Sequence, residues 1–221
     1  MQEYWLRKYK TSTIVECTMT KIKICGLSRT EDIEAVNRLL PDFIGFVFAE
    51  SRRKVDMKTA ALLKQNLDSR IKAVGVFVNE NIDTIMKLCQ DEIIDIVQLH
   101  GDEDDEYIMR LKANCNCRVI KAVGIGDTLP TLPKTPDCLL FDTLSVQRGG
   151  VGKTFDWNIL KDYTGLPYFL AGGLSPDNVA EAIQLLAPFC VDVSSGVETN
   201  GIKDTEKMEQ FVRSVMGTNV R

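Results

Sequence analysis

Side chains that could do chemistry follow short apolar runs at several points of this sequence. A cysteine, a histidine and an aspartate stand at or just after such runs, at Cys25, His100 and Asp142. These residue types can supply a thiolate base or nucleophile, an imidazole and a carboxylic acid. Arg53, shortly after another run, adds one fixed cation. If the runs are strands that end together, the set predicts acid–base chemistry.

Two turns rich in small residues point to a bound anion. LAGGLSPDNV contains Gly172 and Gly173, and VDVSSGVE contains Ser194, Ser195 and Gly196. Glycine allows the backbone to approach a ligand closely, and backbone N–H groups together with a helix N-terminus can hold a phosphate. A tight turn before an N-cap at Ser175 would also explain the two adjacent glycines. Because both turns lack bulky side chains, the sequence favours a phosphate site.

The stretch QRGGVGKTFDW, residues 147–157, imitates a nucleotide-binding phosphate loop. The complete pattern needs a glycine at the position held by Gln147, and it needs a long helix that begins at the lysine and threonine. Here Phe155, Asp156 and Trp157 follow Thr154 before any helical pattern starts. The sequence therefore predicts a glycine-rich loop, not a nucleotide site.

The elements that must position these residues alternate regularly from residue 21 onward. Short, almost continuously apolar runs are each followed by a polar turn and, in most cases, by a segment with helical periodicity. Several helical segments have an N-cap signal, at Thr30, Ser175 and Asp204. The predicted strands are Lys21–Cys25, Phe43–Phe48, Ala73–Val78, Asp95–Leu99, Arg118–Val123, Cys138–Phe141, Tyr168–Ala171 and Val191–Ser194.

Eight such strands predict a single-domain parallel (β/α)₈ barrel, whose chemistry gathers at the carboxyl ends of its strands. An open doubly wound sheet is the alternative, but no G-x-G-x-x-G pattern follows the first strand. The predicted helical segments include residues 156–163, and a proline-containing link over residues 129–136 has no helical pattern. We expect residues 1–20 to be an N-terminal extension without an assigned function, and residues 21–221 to form the barrel.

Composition excludes several classes of function. The chain has 221 residues, of which 44% are hydrophobic and 26% charged, and its net charge is −4. The sequence has no basic stripe, so it does not predict binding to nucleic acid. It also has no apolar run long enough to predict a membrane span. Seven cysteines without framework spacing favour a reducing cytoplasm. Cys115 and Cys117 could suggest a metal, but no further pair or nearby histidine completes a set, so we expect two thiols on a loop before a strand.

Six ordered motifs together resemble the phosphoribosylanthranilate isomerase family of tryptophan biosynthesis. The resemblance covers residues 21 to about 213. It implies a cofactor-free and metal-free (β/α)₈ enzyme, an aldose–ketose isomerase that performs an Amadori rearrangement of N-(5′-phosphoribosyl)anthranilate. The motifs are KICGL (23–27), VGVFVN (74–79), VQLHG (97–101), FDT with GGVGKTFDW (141–157), LAGGLSPDNV (170–179) and VDVSSGVE with GIKD (191–204).

The resemblance also implies roles for individual residues. The family's cysteine base falls on Cys25 and its aspartate acid on Asp142. Cys25 then needs a positive or N–H-rich environment to ionise, which Lys23 could supply, and Asp142 needs apolar surroundings to stay protonated. The family's S-P-R motif, whose arginine binds the anthranilate carboxylate, here reads Ser51-Arg52-Arg53, and Arg53 is the predicted counterpart.

The remaining roles concern the mouth of the barrel. His100 is expected to position its neighbours, and the glycine turns are expected to hold the phosphate. The glycine-rich run 149–152, which contains Gly150, corresponds to the family's loop over the substrate. Three alternatives stay open here: a dual-substrate sugar isomerase, a metal-dependent epimerase and a non-catalytic phosphosugar-binding barrel. The sequence does not indicate an oligomeric state.

Overall fold

Eight parallel strands pair in sequence order, and β8 pairs with β1, so the sheet closes on itself. The computed structural model describes residues 19–144 and 154–219. This architecture confirms the predicted (β/α)₈ barrel, and each strand lies within two residues of its predicted bounds. The strands are β1 (Lys21–Cys25), β2 (Phe43–Val47), β3 (Lys72–Phe77), β4 (Ile96–Leu99), β5 (Arg118–Ile125), β6 (Cys138–Thr143), β7 (Tyr168–Leu170) and β8 (Cys190–Val193).

Six α-helices lie in the described part of the chain. Side chains of Asp56, Asn81 and Asp104 cap α2, α3 and α4 by accepting backbone N–H groups of the first turn. In the described part of the chain, no helix is long and apolar enough to cross a membrane. The helices are α1 (Thr30–Leu39), α2 (Met57–Gln65), α3 (Ile82–Gln90), α4 (Asp105–Asn114), α5 (Val179–Leu186) and α6 (Thr205–Asn219).

The segment after β6 is less helical than the sequence predicts. Only Trp157–Leu160 forms a turn of 3₁₀-helix, and Asp156 caps it by accepting the N–H of Asn158. The side chain of Asn158 also donates to Asp156, and Gly165 and Pro167 follow closely, so local bonds compete with a longer helix. As predicted, no long helix begins at Thr154, and residues 129–136 connect β5 to β6 without a helix.

Alternate residues of each strand face the inside of the barrel. Near the amino ends of the strands this interior is apolar, with Phe43, Val74, Ile96 and Ile120 in one cluster. Further up, the same period brings polar side chains inward. These are Lys23 two residues before Cys25, Gln98 two residues before His100, and Asp192 two residues before Ser194. The barrel therefore stacks a charged layer directly beneath its mouth.

The predicted extension over residues 1–20 falls almost entirely outside the described residues and stays a prediction. The hydroxyl of Ser175 accepts the N–H of Asp177, as the predicted cap requires, but the regular helix α5 begins only at Val179. The side chain of Asn178 bonds Gly173 O and Ser175 N, which closes the turn before the helix begins.

Candidate active site

Cys25 is the last residue of β1, and its side chain is 8% exposed. Space for the thiol comes from Gly45 on β2, because a Cβ atom at position 45 would lie 2.5 Å from Cys25 Sγ. Burial raises the pKa of the Cys25 thiol above its usual value, although the charges of Lys23 and Lys203 act to lower it. The positive environment predicted for this cysteine is therefore present, and it opposes the effect of burial.

A buried ion pair lies directly beneath Cys25. Lys23 Nζ and Asp192 Oδ2 are 2.9 Å apart, and both side chains are almost fully buried. Burial disfavours both charges, yet the attraction of Asp192 leaves the pKa of Lys23 raised, while the pKa of Asp192 is raised by its burial. Asp192 Oδ1 has no hydrogen-bond partner among the described residues. Lys23 is thus held charged beside the thiol by a partner on the neighbouring strand.

Asp142 lies across the mouth at the end of β6, and its side chain is 25% exposed. Its Oδ1 accepts the N–H of Thr143 at 2.7 Å, and its Oδ2 lies 3.4 Å from His100 Nε2. Gln98 Nε2 lies 3.0 Å from His100 Nδ1, so the amide helps to orient the imidazole ring beside Asp142. The structure thus places His100 against Asp142. The apolar surroundings expected for Asp142 are replaced by polar contacts on this side.

Arg53 and Arg52 both bond the carboxylate of Glu198, but they differ in exposure to solvent. Arg53 Nε and Nη2 bond Glu198 at 2.6 and 3.0 Å, and Lys203 Nζ bonds the same carboxylate at 2.6 Å. Arg53 is 15% exposed and packs over Gly26, whereas Arg52 is 59% exposed. Burial opposes ionisation of Glu198, but these cations outweigh it and lower its pKa to about 2. Arg53 is thus the arginine fixed next to Cys25.

The turns after β7 and β8 lie against each other. A Cβ atom at Gly196 would collide with the carbonyl oxygen of Leu174, so the two turns pack closely only because position 196 is glycine. Gly172 has φ +82°, and a Cβ atom there would lie 2.9 Å from Asp142 Oδ1. Among the described residues, the backbone N–H groups of Gly172, Gly173, Ser195 and Gly196 have no acceptor.

Ser194 lies in the turn after β8, and its predicted contact with the phosphate stays a prediction. Its hydroxyl donates to the carbonyl oxygen of Cys25 at 3.0 Å, and its own carbonyl accepts from Lys203 Nζ at 2.9 Å. Ser194 therefore joins β8 to β1 and orients the Cys25 backbone. Gly150 and the rest of the glycine-rich run lie outside the described residues.

Sequence analysis alone did not assign roles to Gln98, Asp192, Glu198 and Lys203. Two of them have a signal in the sequence, because Gln98 and Asp192 stand two residues before interior-facing mouth residues and must share their face of the strand. Glu198 and Lys203 carry no such signal. They belong to a small antiparallel pair, β9 (Glu198–Thr199) and β10 (Ile202–Lys203), whose place against Arg53 depends on tertiary packing.

The closed parallel barrel, with ionisable side chains and open N–H groups at the carboxyl ends of its strands, defines a (β/α)₈ enzyme. Comparison with known proteins identifies a family within this class of enzyme. A family profile described as N-(5′phosphoribosyl)anthranilate (PRA) isomerase matches residues 22–214. The N-(5′-phosphoribosyl)anthranilate isomerase of Endomicrobium trichonymphae is 53% identical over 196 residues, which cover 88% of this chain and 98% of that protein.

Solved structures agree with this assignment. The phosphoribosyl anthranilate isomerase of Thermotoga maritima superposes with a TM-score of 0.79 at 34% identity, covering 90% of this chain and 100% of that one. A phosphoribosyl anthranilate isomerase solved with reduced 1-(o-carboxyphenylamino)-1-deoxyribulose 5-phosphate gives a TM-score of 0.75 at 31% identity, with coverage of 90% and 100%. The chain belongs to the N-(5′-phosphoribosyl)anthranilate isomerase family, which confirms the resemblance found in its motifs.

Proposed function

We propose that this chain isomerises N-(5′-phosphoribosyl)anthranilate to the 1-deoxyribulose 5-phosphate in tryptophan biosynthesis, with Cys25 as general base and Asp142 as general acid. The observation that carries the assignment of roles is the placement of the two groups. They end β1 and β6 on the interior face of one barrel mouth, next to a turn pair with open N–H groups. A small phosphorylated substrate can therefore meet both groups at once.

The reaction needs two proton transfers in sequence. Asp142 donates a proton to the ring oxygen of the ribose, the C1′–O bond breaks, and the nitrogen lone pair forms an iminium. Cys25 then removes the C2′ proton, and the electron pair moves to neutralise the nitrogen, which gives an enolamine. Tautomerisation of this enolamine to the ketone completes the Amadori rearrangement. General acids and bases of this kind typically contribute about 10²–10⁴-fold each.

Cys25 acts as base in its thiolate form. Burial raises the pKa of the thiol, and the charges of Lys23 and Lys203 act to lower it. Lys23 is held within the barrel by Asp192, so the positive charge is in place before the thiolate forms. In a site closed from water the same charge interacts more strongly, because the effective dielectric constant falls. We therefore assign Lys23 the role of stabilising the thiolate.

The phosphate and the carboxylate of the substrate each have candidate binding groups in the protein. Open N–H groups of Gly172, Gly173, Ser195 and Gly196 support phosphate binding, since backbone amides arranged around a concavity bind anions. Arg53 is our candidate for the anthranilate carboxylate, because its fork is fixed beside Cys25. His100 acts as a positioning residue for Asp142. A role for Gly150 over the substrate and a cytoplasmic location stay predictions.

The test is turnover by the purified protein, followed as loss of phosphoribosylanthranilate fluorescence in the presence of a chelator. We expect full activity with chelator, which separates this reaction from that of a metal-dependent epimerase. The Cys25→Ala/Asp142→Asn double variant is the matched control: it should bind the reduced product analogue and show no turnover. A folded wild-type protein that binds the analogue without turning over substrate would contradict the proposal and favour a phosphosugar-binding barrel.

A further inference from the structure

Three cysteine sulfurs meet on the side of the barrel away from the mouth. Cys89 is in the last turn of α3, Cys115 follows the last residue of α4, and Cys117 directly precedes β5. Their sulfur atoms all lie within 4.8 Å of one another, and each side chain is partly exposed. Cys115 and Cys117 are joined as a disulfide, and Cys89 is a free thiol. The disulfide shows that the prediction of two thiols at Cys115 and Cys117 is wrong, and the sequence did not associate Cys89 with them because Cys89 comes from a different helix.

We propose that the reduced cluster of Cys89, Cys115 and Cys117 binds a thiophilic d¹⁰ metal ion such as Zn²⁺. Metal–sulfur bonds of about 2.3 Å place three bound sulfurs about 4 Å apart. All three sulfurs fall within 4.8 Å of one another in the disulfide form, and reduction allows the sulfurs of Cys115 and Cys117 to separate toward this spacing. Three protein ligands leave a fourth position, which a water molecule can fill.

The surroundings favour a cation over three separate thiols. The sulfurs lie at the carboxyl ends of α3 and α4, where the helix dipoles place a partial negative charge. A divalent ion at this position is attracted by that charge. Partial exposure of all three side chains gives the ion a route to the site.

The chemistry of formation balances in two steps. A phosphine reductant supplies two electrons and, with two protons from water, converts the Cys115–Cys117 disulfide to two thiols while the phosphine becomes its oxide. One M²⁺ then binds three thiolates and releases three protons. The bound ion would connect α3 to the link between α4 and β5. Since the amino-terminal face of such barrels serves stability and the carboxyl-terminal face serves catalysis, we expect an effect on stability alone.

The experiment titrates phosphine-reduced protein with Cd²⁺, whose thiolate complexes absorb in the ultraviolet, and then displaces it with Zn²⁺. All proteins carry Cys17→Ser, which removes a thiol outside the described residues. We expect one Cd²⁺ per chain, and weaker binding on the order of 100-fold in each of Cys89→Ser, Cys115→Ser and Cys117→Ser. At 100 times the dissociation constant, the metal should raise Tm by about 5–10 °C.

Cys138→Ala is the matched control, because it removes a buried thiol elsewhere in the barrel and should leave Cd²⁺ binding unchanged. Turnover at one equivalent of Cd²⁺ locates the ion, since metal at Cys25 would abolish activity. If Cys89→Ser bound Cd²⁺ with unchanged affinity, Cys115 and Cys117 alone would account for the binding, and the proposal would be overturned. Absence of binding to the reduced protein, or loss of turnover with one equivalent, would overturn it as well.

Discussion

The cysteine side and the aspartate side of the barrel mouth are built differently. Cys25 is enclosed, with Gly45 against its sulfur and the buried pair of Lys23 and Asp192 beneath it. Asp142 is open on one side, and its protein contacts are polar. Burial and fixed charges thus surround Cys25, the proposed base. Asp142, the proposed acid, is surrounded on one side by polar contacts.

This difference bears on the two proposed roles. Cys25, the proposed base, has a cation in place that can stabilise its ionised form. Asp142, the proposed acid, contacts an imidazole nitrogen and a backbone N–H. We expect variants on the cysteine side to couple activity to stability, and variants on the aspartate side to change activity alone.

The largest effect should come from the two catalytic candidates. Cys25→Ser and Asp142→Asn should each lower kcat by about 10²–10⁴-fold, because each removes one proton-transfer group. Affinity for the reduced product analogue should persist in both, since neither variant removes a phosphate contact. Steady-state kinetics and calorimetric titration measure the two quantities. Near-normal kcat in Cys25→Ser would remove the base role from this residue.

The buried pair gives the sharpest test of the cysteine side. Lys23→Met leaves Asp192 buried without its cation, so we expect a loss of about 3–5 kcal/mol in the free energy of unfolding, together with a fall in kcat. Lys23→Met/Asp192→Leu should regain most of that stability, because an apolar pair can replace a buried ion pair. Denaturant unfolding and kcat are measured on the same samples.

If the double variant regained full kcat along with stability, Lys23 would be structural and would not stabilise the thiolate. His100→Asn provides the matched variant on the aspartate side. It should lower kcat while the free energy of unfolding changes by less than about 1 kcal/mol, because His100 is partly exposed.

The contrast between the two sides also shows how far the sequence can be interpreted. Cys25 and Asp142 were predictable because they end apolar strands, and Lys23 because a strand repeats every two residues. Glu198 was not, since its contact with Arg53 joins two loops far apart in sequence. The meeting of Cys89 with Cys115 likewise depends on how α3 packs beside α4. Strand order and period could be predicted, whereas contacts between loops or helices could not.

The charge of Glu198 should make the stability of the protein depend on pH. The pKa of Glu198 is lowered to about 2 from an ordinary value of 4.5, so its ionised form contributes stability that is fully present above pH 4.5 and is lost as pH falls toward 2. At pH 7, Glu198→Gln should cost about 3 kcal/mol, and this difference should shrink by about 1 kcal/mol at pH 3.5. Denaturant unfolding at both values measures it. A difference that stays constant with pH would show that the carboxylate charge does not matter.

The smallest effects should separate the two neighbouring arginines. Arg53→Ala should raise KM by about 10-fold with little change in kcat, because a carboxylate contact made in both ground and transition states is uniform binding. Arg52→Ala is the matched control. Its side chain is 59% exposed, and an exposed ion pair to Glu198 contributes at most about 1 kcal/mol, so KM should stay within about 2-fold of the wild type. Steady-state kinetics on both variants at low salt decides between them. A larger rise in KM for Arg52→Ala than for Arg53→Ala would move the carboxylate contact to the outer arginine. The anthranilate carboxylate would then bind at the exposed rim of the mouth instead of beside the Cys25 thiol.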